Sequence, residues 1–424
     1  MKYSTKDIPK IKPFKSISFP AYYKIELKNG IPVYIIHSDE YDVMKAEISF
    51  KAGRVFESQQ GVARACANQL KEGTKSFSSE KIAHTIDFYG SSLNTMGGMD
   101  FARVELYSLN KHLENLLPYL TEILTLPNFS EGELNNYIHV NARRLAIDLA
   151  KNDILAYRAL TEALFGKDHA YGYNSDEETI KNLNIGNLHK HFDDNIGIGP
   201  QSIILAGRID PGTIKLIENS LGGIPYRKDL KKPVLPSEAS SEQRIRLTGQ
   251  QKYQTSIRLG RKIFDRSHPD YPGIYVLNTI LGGFFGSRLM TNLREEKGLT
   301  YDIYSTLDML WLDGYLMIGA EVDNENVALT LSEIHKEFDL LKAELVPDDE
   351  LILVKNYING NLLNLMNGPF NSVELLRLVA NHAQSEEFFK YFMLQIQNID
   401  SFTLRELARK YLNKDDFFEV IVGK

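Results

Sequence analysis

One sequence pattern occurs twice in this chain of 424 residues, about half a chain apart. The segments Asn128–Leu134 and Leu345–Leu351 each place acidic residues directly before a long run with helical spacing of apolar residues. Glu350 of the second copy follows Glu133 of the first by 217 positions. Solenoid repeats have periods of about 20–50 residues, so a repeat this long indicates a duplicated domain. The chain is therefore predicted to contain two related domains.

In each predicted domain a strand and a helix precede the repeated segment, and another long helix follows it. Strands and helices that segregate into layers indicate an α+β fold. Tyr22–Ile36 is predicted to be a β-hairpin, because alternating strands flank Asn29-Gly30, a dipeptide favoured at tight turns. Lys228–Glu242 contains several charges and serines and two prolines, as a linker does. We therefore predict domains at residues 1–227 and 243–424, joined by a linker at residues 228–242.

The composition argues against several classes of protein. The net charge of −6 lacks the basic surplus of a nucleic-acid binder. The single cysteine, Cys66, excludes a disulfide framework or a thiolate metal cluster within the chain. No apolar run approaches the roughly 18 residues of a membrane helix, and the N-terminal residues lack the apolar core of a signal peptide. These features predict a cytoplasmic protein without a nucleic-acid or membrane partner.

The segment Leu281–Ser305 joins helical patterns to a strand pattern. A helical run of apolar residues ends at Gly282-Gly283, and a second helix is predicted over Ser287–Glu296. Gly298 follows as a left-handed cap typical of a helix end. The glycines resemble a phosphate loop only superficially, because no Lys-Ser/Thr pair follows them and no strand precedes them. We interpret them as a turn.

The residues after Gly298 alternate as a strand does, and the alternation places Tyr301 on the same face as Ile303. Because the chain reverses at Gly298, Arg294 before it and Tyr301 after it are predicted to converge on one point. Taken alone, Arg294 could be an ordinary solvated charge at a helix end. The matching position of Tyr301 favours a functional pair.

This segment resembles the C-terminal signature of the pitrilysin-like zinc peptidases, the M16 or inverzincin family, which reads approximately LGGGxxSRLxxxLREExGLaYxxxS. The resemblance extends from about Tyr22 to the C-terminus. It implies two homologous halves, each a mainly antiparallel sheet packed with helices, arranged like a clam. It also implies that Arg294 and Tyr301 reach the active site of the other half or of a partner subunit. There they would hold the substrate backbone and the tetrahedral intermediate.

Active members of this family carry GxAHxxEHxxFxGT in the first half, where two histidines bind zinc and the glutamate is the general base. The aligned segment here, Gly61–Thr74, reads GVARACANQLKEGT. Arg64 and Asn68 replace the histidines, and Ala67 replaces the glutamate. Arg144, 76 positions after Asn68, replaces the third ligand. Because a guanidinium stays protonated and offers no lone pair, the chain is predicted to bind no zinc and no other cofactor.

No other residues in the sequence replace the lost metal site. None of the ten histidines forms a His-x-x-x-His, HExxH or HxxEH motif. His189 and His191 would point to different faces of a helix, and His139 stands alone near Arg144. Cys66 lies on a helix face of small residues, so we interpret it as a packed small side chain and not as a nucleophile.

Two classes of function are compatible with the sequence. In the first, the chain is the zinc-less subunit of a heterodimeric peptidase, and a partner with an intact HxxEH motif supplies the zinc. Arg294 and Tyr301 would then act on a peptide substrate in the partner's site. In the second, the chain is an inactive scaffold or peptide-binding protein. The retained pair favours the first class, and a homodimer is the alternative assembly for the isolated chain.

Overall fold

The computed structural model of the chain describes residues 17–227, 233, 235, 239–382 and 385–424. The strands are β1 (Tyr23–Glu26), β2 (Pro32–His37), β3 (Val43–Phe50), β4 (Ser92–Gly97), β5 (Ala102–Leu109), β6 (Ser202–Gly207), β7 (Arg244–Thr248), β8 (Gln254–Lys262), β9 (Thr300–Met309), β10 (Gly314–Asp323) and β11 (Phe418–Gly423). The helices are α1 (Val62–Gln69), α2 (Ser79–Phe88), α3 (Leu113–Thr125), α4 (Glu131–Asp148), α5 (Asn152–Phe165), α6 (Glu177–Lys181), α7 (Ile185–His191), α8 (Pro211–Leu221), α9 (Tyr271–Gly282), α10 (Val327–Ala343), α11 (Asp348–Leu365), α12 (Pro369–His382), α13 (Glu386–Asn398) and α14 (Ser401–Tyr411).

These elements form two sheets, one in each half of the sequence. The order in the first sheet is β1-β2-β6-β3-β5-β4, and the order in the second is β7-β11-β8-β10-β9. The pairs β2–β6 and β7–β11 are parallel, and the other neighbouring strands are antiparallel. The two halves are thus α+β units with mainly antiparallel sheets, as predicted. The predicted hairpin is β1–β2, with Gly30 in the left-handed region at φ +89°.

The repeat of 217 residues is visible in the element bounds. Helix α4 covers Glu131–Asp148, and α11 covers Asp348–Leu365, 217 positions later at both ends. Helix α5 and helix α12 are related by the same offset at both ends. The repeated order of strand, helix and helix supports the duplication. Of the predicted linker at residues 228–242, residues 228–232, 234 and 236–238 lie outside the described residues, and the domain bounds stay a prediction.

Each half contributes one helix to the sheet of the other half. Helix α5 places Leu160 against β8, where Gly260 leaves room for it: a Cβ on this glycine would lie 2.8 Å from the Leu160 Cδ2. In the same way α12 places Val373 and Leu376 against Ile204 of β6. The opposite face of each sheet packs on helices of its own half. The exchanged helices therefore bury the second face of each sheet and interlock the halves.

Buried polar contacts reinforce this exchange at α12. The guanidinium of Arg377 donates two hydrogen bonds to the carboxylate of Glu47 on β3, at 2.6 and 2.8 Å. Glu47 is completely buried, and Lys45 lies 3.2 Å from its other side. One turn along α12, the Asn381 amide donates to the hydroxyl of Ser49 at 2.9 Å. A buried carboxylate needs such partners, because its desolvation is otherwise costly.

Several local details were not predicted from the sequence. Helix α7 ends at His191 and continues as a π-helical segment, Phe192–Ile196. The predicted helix at Ser287–Glu296 is π-helical over Met290–Glu296. The short elements β7 and α6 were not predicted, because both are largely exposed and span only five residues each, although Ile245 and Leu247 of β7 alternate with polar residues. Within the described residues, no helix has the length and apolar character needed to cross a membrane.

Candidate functional site

Arg294 and Tyr301 lie on the two sides of a sharp corner between a helix and a strand. Gly298 adopts φ +61°, the left-handed conformation predicted for a helix cap. The N–H of Leu299 donates to the carbonyl of Leu293 at 2.8 Å and closes the turn around Gly298. Strand β9 starts two residues after this glycine. The corner therefore brings two side chains seven positions apart to the same place, as predicted.

The Arg294 guanidinium contacts two aromatic rings. Its carbon is 5.1 Å from the centroid of the Tyr301 ring and 4.8 Å from the centroid of the Phe285 ring. Both rings are exposed, Tyr301 to 85% and Phe285 to 60%. Among the described residues, none forms a hydrogen bond or an ion pair with the Arg294 side chain. Within the described part of the chain, ring contacts thus orient the guanidinium and leave its donors available to a ligand.

The predicted alternation along β9 is wrong at Tyr301. Ile303 pairs with Ala320 and Thr300 pairs with Val322, so Glu321 alone faces both Tyr301 and Asp302. This extra residue is a β-bulge, and it turns Tyr301 outward while Ile303 is fully buried. The hydroxyl of Thr300 stabilises the bulge by donating to the carbonyl of Glu321 at 2.6 Å. The bulge therefore determines the exposure of the Tyr301 hydroxyl.

Polar contacts to α10 and α11 hold the π-helical segment in place. Arg288 donates two hydrogen bonds to the Glu350 carboxylate, at 2.9 and 2.8 Å. Asn292 donates to the buried Glu337 at 2.7 Å. Arg288, Asn292 and Phe285 were not predicted from the sequence as parts of this site. The signal that could have found them is their position inside the same signature segment as Arg294.

Three of the four positions aligned with the zinc motif line one cleft in the first half. Arg64 and Asn68 of α1 and Arg144 of α4 face a cleft of about 680 Å³. The fourth, Ala67, is fully buried in the core of the first half. Neither Arg294 nor Tyr301 is among the residues that line this cleft. The structure thus contains two separate candidate sites, one around the arginine–tyrosine pair and one around the altered motif.

Gly97 explains how α1 reaches the outer strand of the first sheet. A Cβ at this position would lie 2.7 Å from the Cα of Arg64 and 3.0 Å from the carbonyl oxygen of Ala63. The absence of a side chain therefore lets α1 approach β4 at backbone distance. This contact places Arg64 at the wall of the cleft.

Two family models match the chain in succession. Residues 33–171 match the model of the insulinase family, peptidase family M16, and residues 187–358 match the peptidase M16 inactive domain. The chain belongs to peptidase family M16. The matches cover both halves of the duplicated fold, including the altered motif and the arginine–tyrosine corner.

Curated M16 relatives include proteins named as proteases and proteins named as inactive. An uncharacterised zinc protease, YmxG of Bacillus subtilis, is 25% identical over 308 residues, 72% of this chain and 74% of the relative. A non-peptidase homologue, YmxG of Helicobacter pylori, is 28% identical over 293 residues, 66% of each chain. A probable inactive metalloprotease, YmfF of Bacillus subtilis, is 24% identical over 303 residues, 68% of each chain.

Solved structures of M16 proteins share the fold over nearly the whole chain. A peptidase M16 inactive domain from Pseudomonas fluorescens matches with a TM-score of 0.82, at 23% identity, over 95% of this chain and 98% of its own. A protease from Helicobacter pylori matches with a TM-score of 0.84, at 16% identity, over 96% and 100%. At these identities the likeness is a statement about fold.

The residues at the M16 zinc position do not fit a zinc ion. Arg64 and Arg144 are exposed cations, and Arg144 lies 3.9 Å from Asp148 on the next turn of α4. The Asn68 amide donates to the carbonyl of Arg64 at 2.7 Å. Ala67 offers no donor atom at all. Within the described residues, no group of three or more His, Cys, Asp or Glu side chains is placed to hold a metal ion.

The histidines and the cysteine near the motif make structural contacts. His191 is buried and contacts the carbonyl oxygen of Ala52 at 3.1 Å, and burial lowers the pKa of its imidazole. His189 packs edge-on against the ring of Phe129. Cys66 is fully buried, and burial raises the pKa of its thiol. A thiol without access to substrate is consistent with a packing role.

Proposed function

We propose that this chain is the zinc-less subunit of a two-chain M16 peptidase, located in the cytoplasm. A partner chain with an intact HxxEH motif would supply the zinc chemistry. This chain would supply Arg294 and Tyr301 to the bound peptide. The observation that carries the proposal is the exposed stacking of Arg294 on Tyr301, in a chain whose own zinc positions hold arginine, alanine and asparagine.

The two side chains suit different tasks at a peptide substrate. The Tyr301 hydroxyl is a neutral donor on an exposed ring, suited to an oxygen on which negative charge develops in the transition state. The guanidinium of Arg294 is a forked cation that binds carbonyl oxygens of the substrate backbone. The ring of Phe285 also contacts the guanidinium, with its centroid 4.8 Å from the guanidinium carbon, and so restricts its orientation before substrate binds. Such preorganisation favours the transition state over the free substrate.

The names of two relatives support a chain without its own activity. The relatives from Helicobacter pylori and Bacillus subtilis are described as a non-peptidase homologue and a probable inactive metalloprotease. Among the described residues, neither Tyr301 nor Arg294 has a side-chain hydrogen bond or ion pair, an arrangement that a surface used only for structural assembly does not require. The arrangement is better accounted for by a ligand that neither residue meets within its own chain.

Reconstitution with a zinc-containing partner tests the proposal. The chain is co-expressed with an M16 protein of the same genome that carries HxxEH, and association is followed by light scattering. We expect a heterodimer that hydrolyses a fluorogenic peptide, whereas each chain alone leaves the peptide intact. A partner that is fully active alone and does not associate with this chain would contradict the proposal. Association without any gain of hydrolysis would instead favour a scaffold.

A further inference from the structure

The cleft at the altered zinc motif is strongly cationic, although the whole chain carries a net charge of −6. Five arginines from five different parts of the chain line it: Arg54, Arg64, Arg103, Arg144 and Arg158. The carboxylates in its lining are Glu57 and Asp148. Positive charge is therefore concentrated in a concave site on a chain that is acidic overall. Such concentration attracts anions and raises their local concentration.

The two carboxylates are already engaged by other groups. Glu57 accepts hydrogen bonds from the Tyr173 hydroxyl and from the backbone N–H of Ala63, the latter at 3.1 Å. Burial raises the pKa of Glu57, and these hydrogen bonds and the charge of Arg54 offset the shift only in part. Asp148 pairs with Lys151 at 2.9 Å and lies 3.9 Å from Arg144, one of the five cleft arginines. The lining carboxylates consequently leave most of the arginine charge uncompensated.

The arginines differ in how firmly they are held. Arg54 donates to the carbonyl of Tyr173, and its guanidinium lies over the Tyr173 ring, 3.2 Å from the centroid. Arg158 donates to the carbonyl of Ser175 at 2.7 Å. No carboxylate of the described residues accepts a hydrogen bond from the guanidinium of Arg54 or of Arg158. Among the described residues, no hydrogen bond or salt bridge involves the side chains of Arg64 and Arg103. The cleft thus combines fixed and free guanidinium groups.

We propose that this cleft binds an acidic polypeptide segment through pairs between its carboxylates and these arginines. Guanidinium forks match carboxylate geometry and form strong, charge-assisted hydrogen bonds. A cleft of about 680 Å³ is far larger than one small oxyanion and is of the size that holds an extended ligand. Residues 95–99 also line it, at the end of β4, the outer strand of the first sheet. A free strand edge offers hydrogen bonds to a polypeptide that a simple ion cannot use.

This inference does not depend on a zinc-containing partner or on peptide hydrolysis. The altered motif positions carry no metal ligands. Two of them, Arg64 and Arg144, carry a permanent positive charge, which repels a metal cation and attracts an anion. Random loss of a zinc site would not by itself place these two arginines beside Arg54, Arg103 and Arg158. The substitution pattern and the cleft therefore indicate a change of ligand, from a cation to carboxylates.

Fluorescence anisotropy with the isolated chain tests the proposal. The probe is a fluorescein-labelled, glutamate-rich peptide, and its counterpart has glutamine at every glutamate. We expect the acidic peptide to bind and the glutamine peptide not to bind. The double variant R64Q/R144Q should lower the affinity at least about tenfold, because charged hydrogen bonds are lost. Higher salt should also weaken the complex.

Arg143→Gln is the matched control, because Arg143 is an exposed neighbour of Arg144 on α4 that does not line the cleft. It should bind as the unchanged chain does. The variant R64K/R144K keeps the charge and should bind more tightly than R64Q/R144Q. Equal binding of both peptides, or an unchanged affinity in R64Q/R144Q, would overturn the proposal. Inorganic phosphate that displaces the peptide as well as a free acidic peptide does would also overturn it, in favour of a small-oxyanion site.

Discussion

The Arg294 guanidinium carbon lies 5.1 Å from the centroid of the Tyr301 ring, at the corner between a helix and strand β9 in the second half. Their approach depends on the turn at Gly298 and on the β-bulge opposite Glu321. Neither side chain is buried, so packing alone does not explain why the two residues occupy this corner. The contact orders a cation and a hydroxyl donor for a ligand outside the chain.

Purified alone, the chain should contain no stoichiometric zinc and should cleave no peptide. The reason is chemical: Arg64, Ala67, Asn68 and Arg144 offer no metal-binding electron pair of the kind that histidine and carboxylate provide. Metal analysis of the protein after dialysis, with a fluorogenic peptide assay, checks this expectation. One tightly bound zinc per chain that is lost on mutation of these positions would contradict it.

The ion pair between Glu47 and Arg377 should contribute strongly to the stability of the contact between the two halves. Glu47→Gln leaves the largely buried guanidinium of Arg377 without its main charge partner, so we expect the free energy of unfolding to fall by about 3 kcal/mol. The control is Glu374→Gln, since Glu374 is 62% exposed and lies 3.7 Å from the same guanidinium. This control should change stability by less than about 0.5 kcal/mol. Urea unfolding of both variants makes the comparison, and equal losses would refute the assignment.

The same pair predicts a dependence of stability on pH. Burial alone would raise the pKa of Glu47, but the hydrogen bonds and charge of Arg377 lower it below its ordinary value of 4.5. The folded state therefore binds this proton less readily than the unfolded state does. The stabilisation is complete above pH 4.5 and is lost as the pH falls towards the lower pKa of the folded state.

The stability difference between the unchanged chain and Glu47→Gln should accordingly narrow as the pH falls below 4.5. Denaturant unfolding at a series of pH values measures it. A difference that stays constant from neutral pH down to about pH 3 would show that Glu47 does not carry this dependence.

Adding a methyl group at Gly97 should disturb the contact between α1 and β4. The new Cβ would meet the backbone of Arg64 at 2.7 Å, so the helix must move, at a cost of about 1–3 kcal/mol. Gly132→Ala on α4 is the control, because a Cβ there meets nothing within 4 Å. That change should leave stability unchanged or raise it by up to about 1 kcal/mol. Thermal unfolding compares the two, and a Gly97→Ala variant as stable as the control would contradict the packing argument.

Local rules predicted much of the fold from the sequence. Ser78 and Ser130 cap helices by accepting from backbone N–H groups three residues later, at 3.2 and 3.3 Å. Such caps depend only on neighbours in sequence, as do the Asn29-Gly30 turn and the Gly298 corner. All of them can therefore be predicted from the local sequence. The repeat is equally visible, because it requires only the comparison of two segments.

Features that depend on distant strands could not be predicted. The bulge at Tyr301 exists because Glu321, on another strand, faces two residues, and no local pattern of β9 contains that information. The apolar stripe of α5 likewise indicates burial without saying which sheet covers it. The cationic cleft combines arginines that are up to 104 positions apart, from Arg54 to Arg158, so only the fold brings them together.

Turnover of the reconstituted heterodimer with Tyr301→Phe tests the central claim most directly. The substitution removes one hydroxyl from a ring that is 85% exposed, so assembly and stability should not change. If the hydroxyl stabilises the developing oxyanion in the partner's site, kcat should fall by about 10²–10³, with little change in KM. Tyr253→Phe, at another tyrosine that is 85% exposed, is the matched control and should keep full activity. Full activity in Tyr301→Phe, and equally in the double variant with Arg294→Ala, would contradict the account and identify the chain as a scaffold.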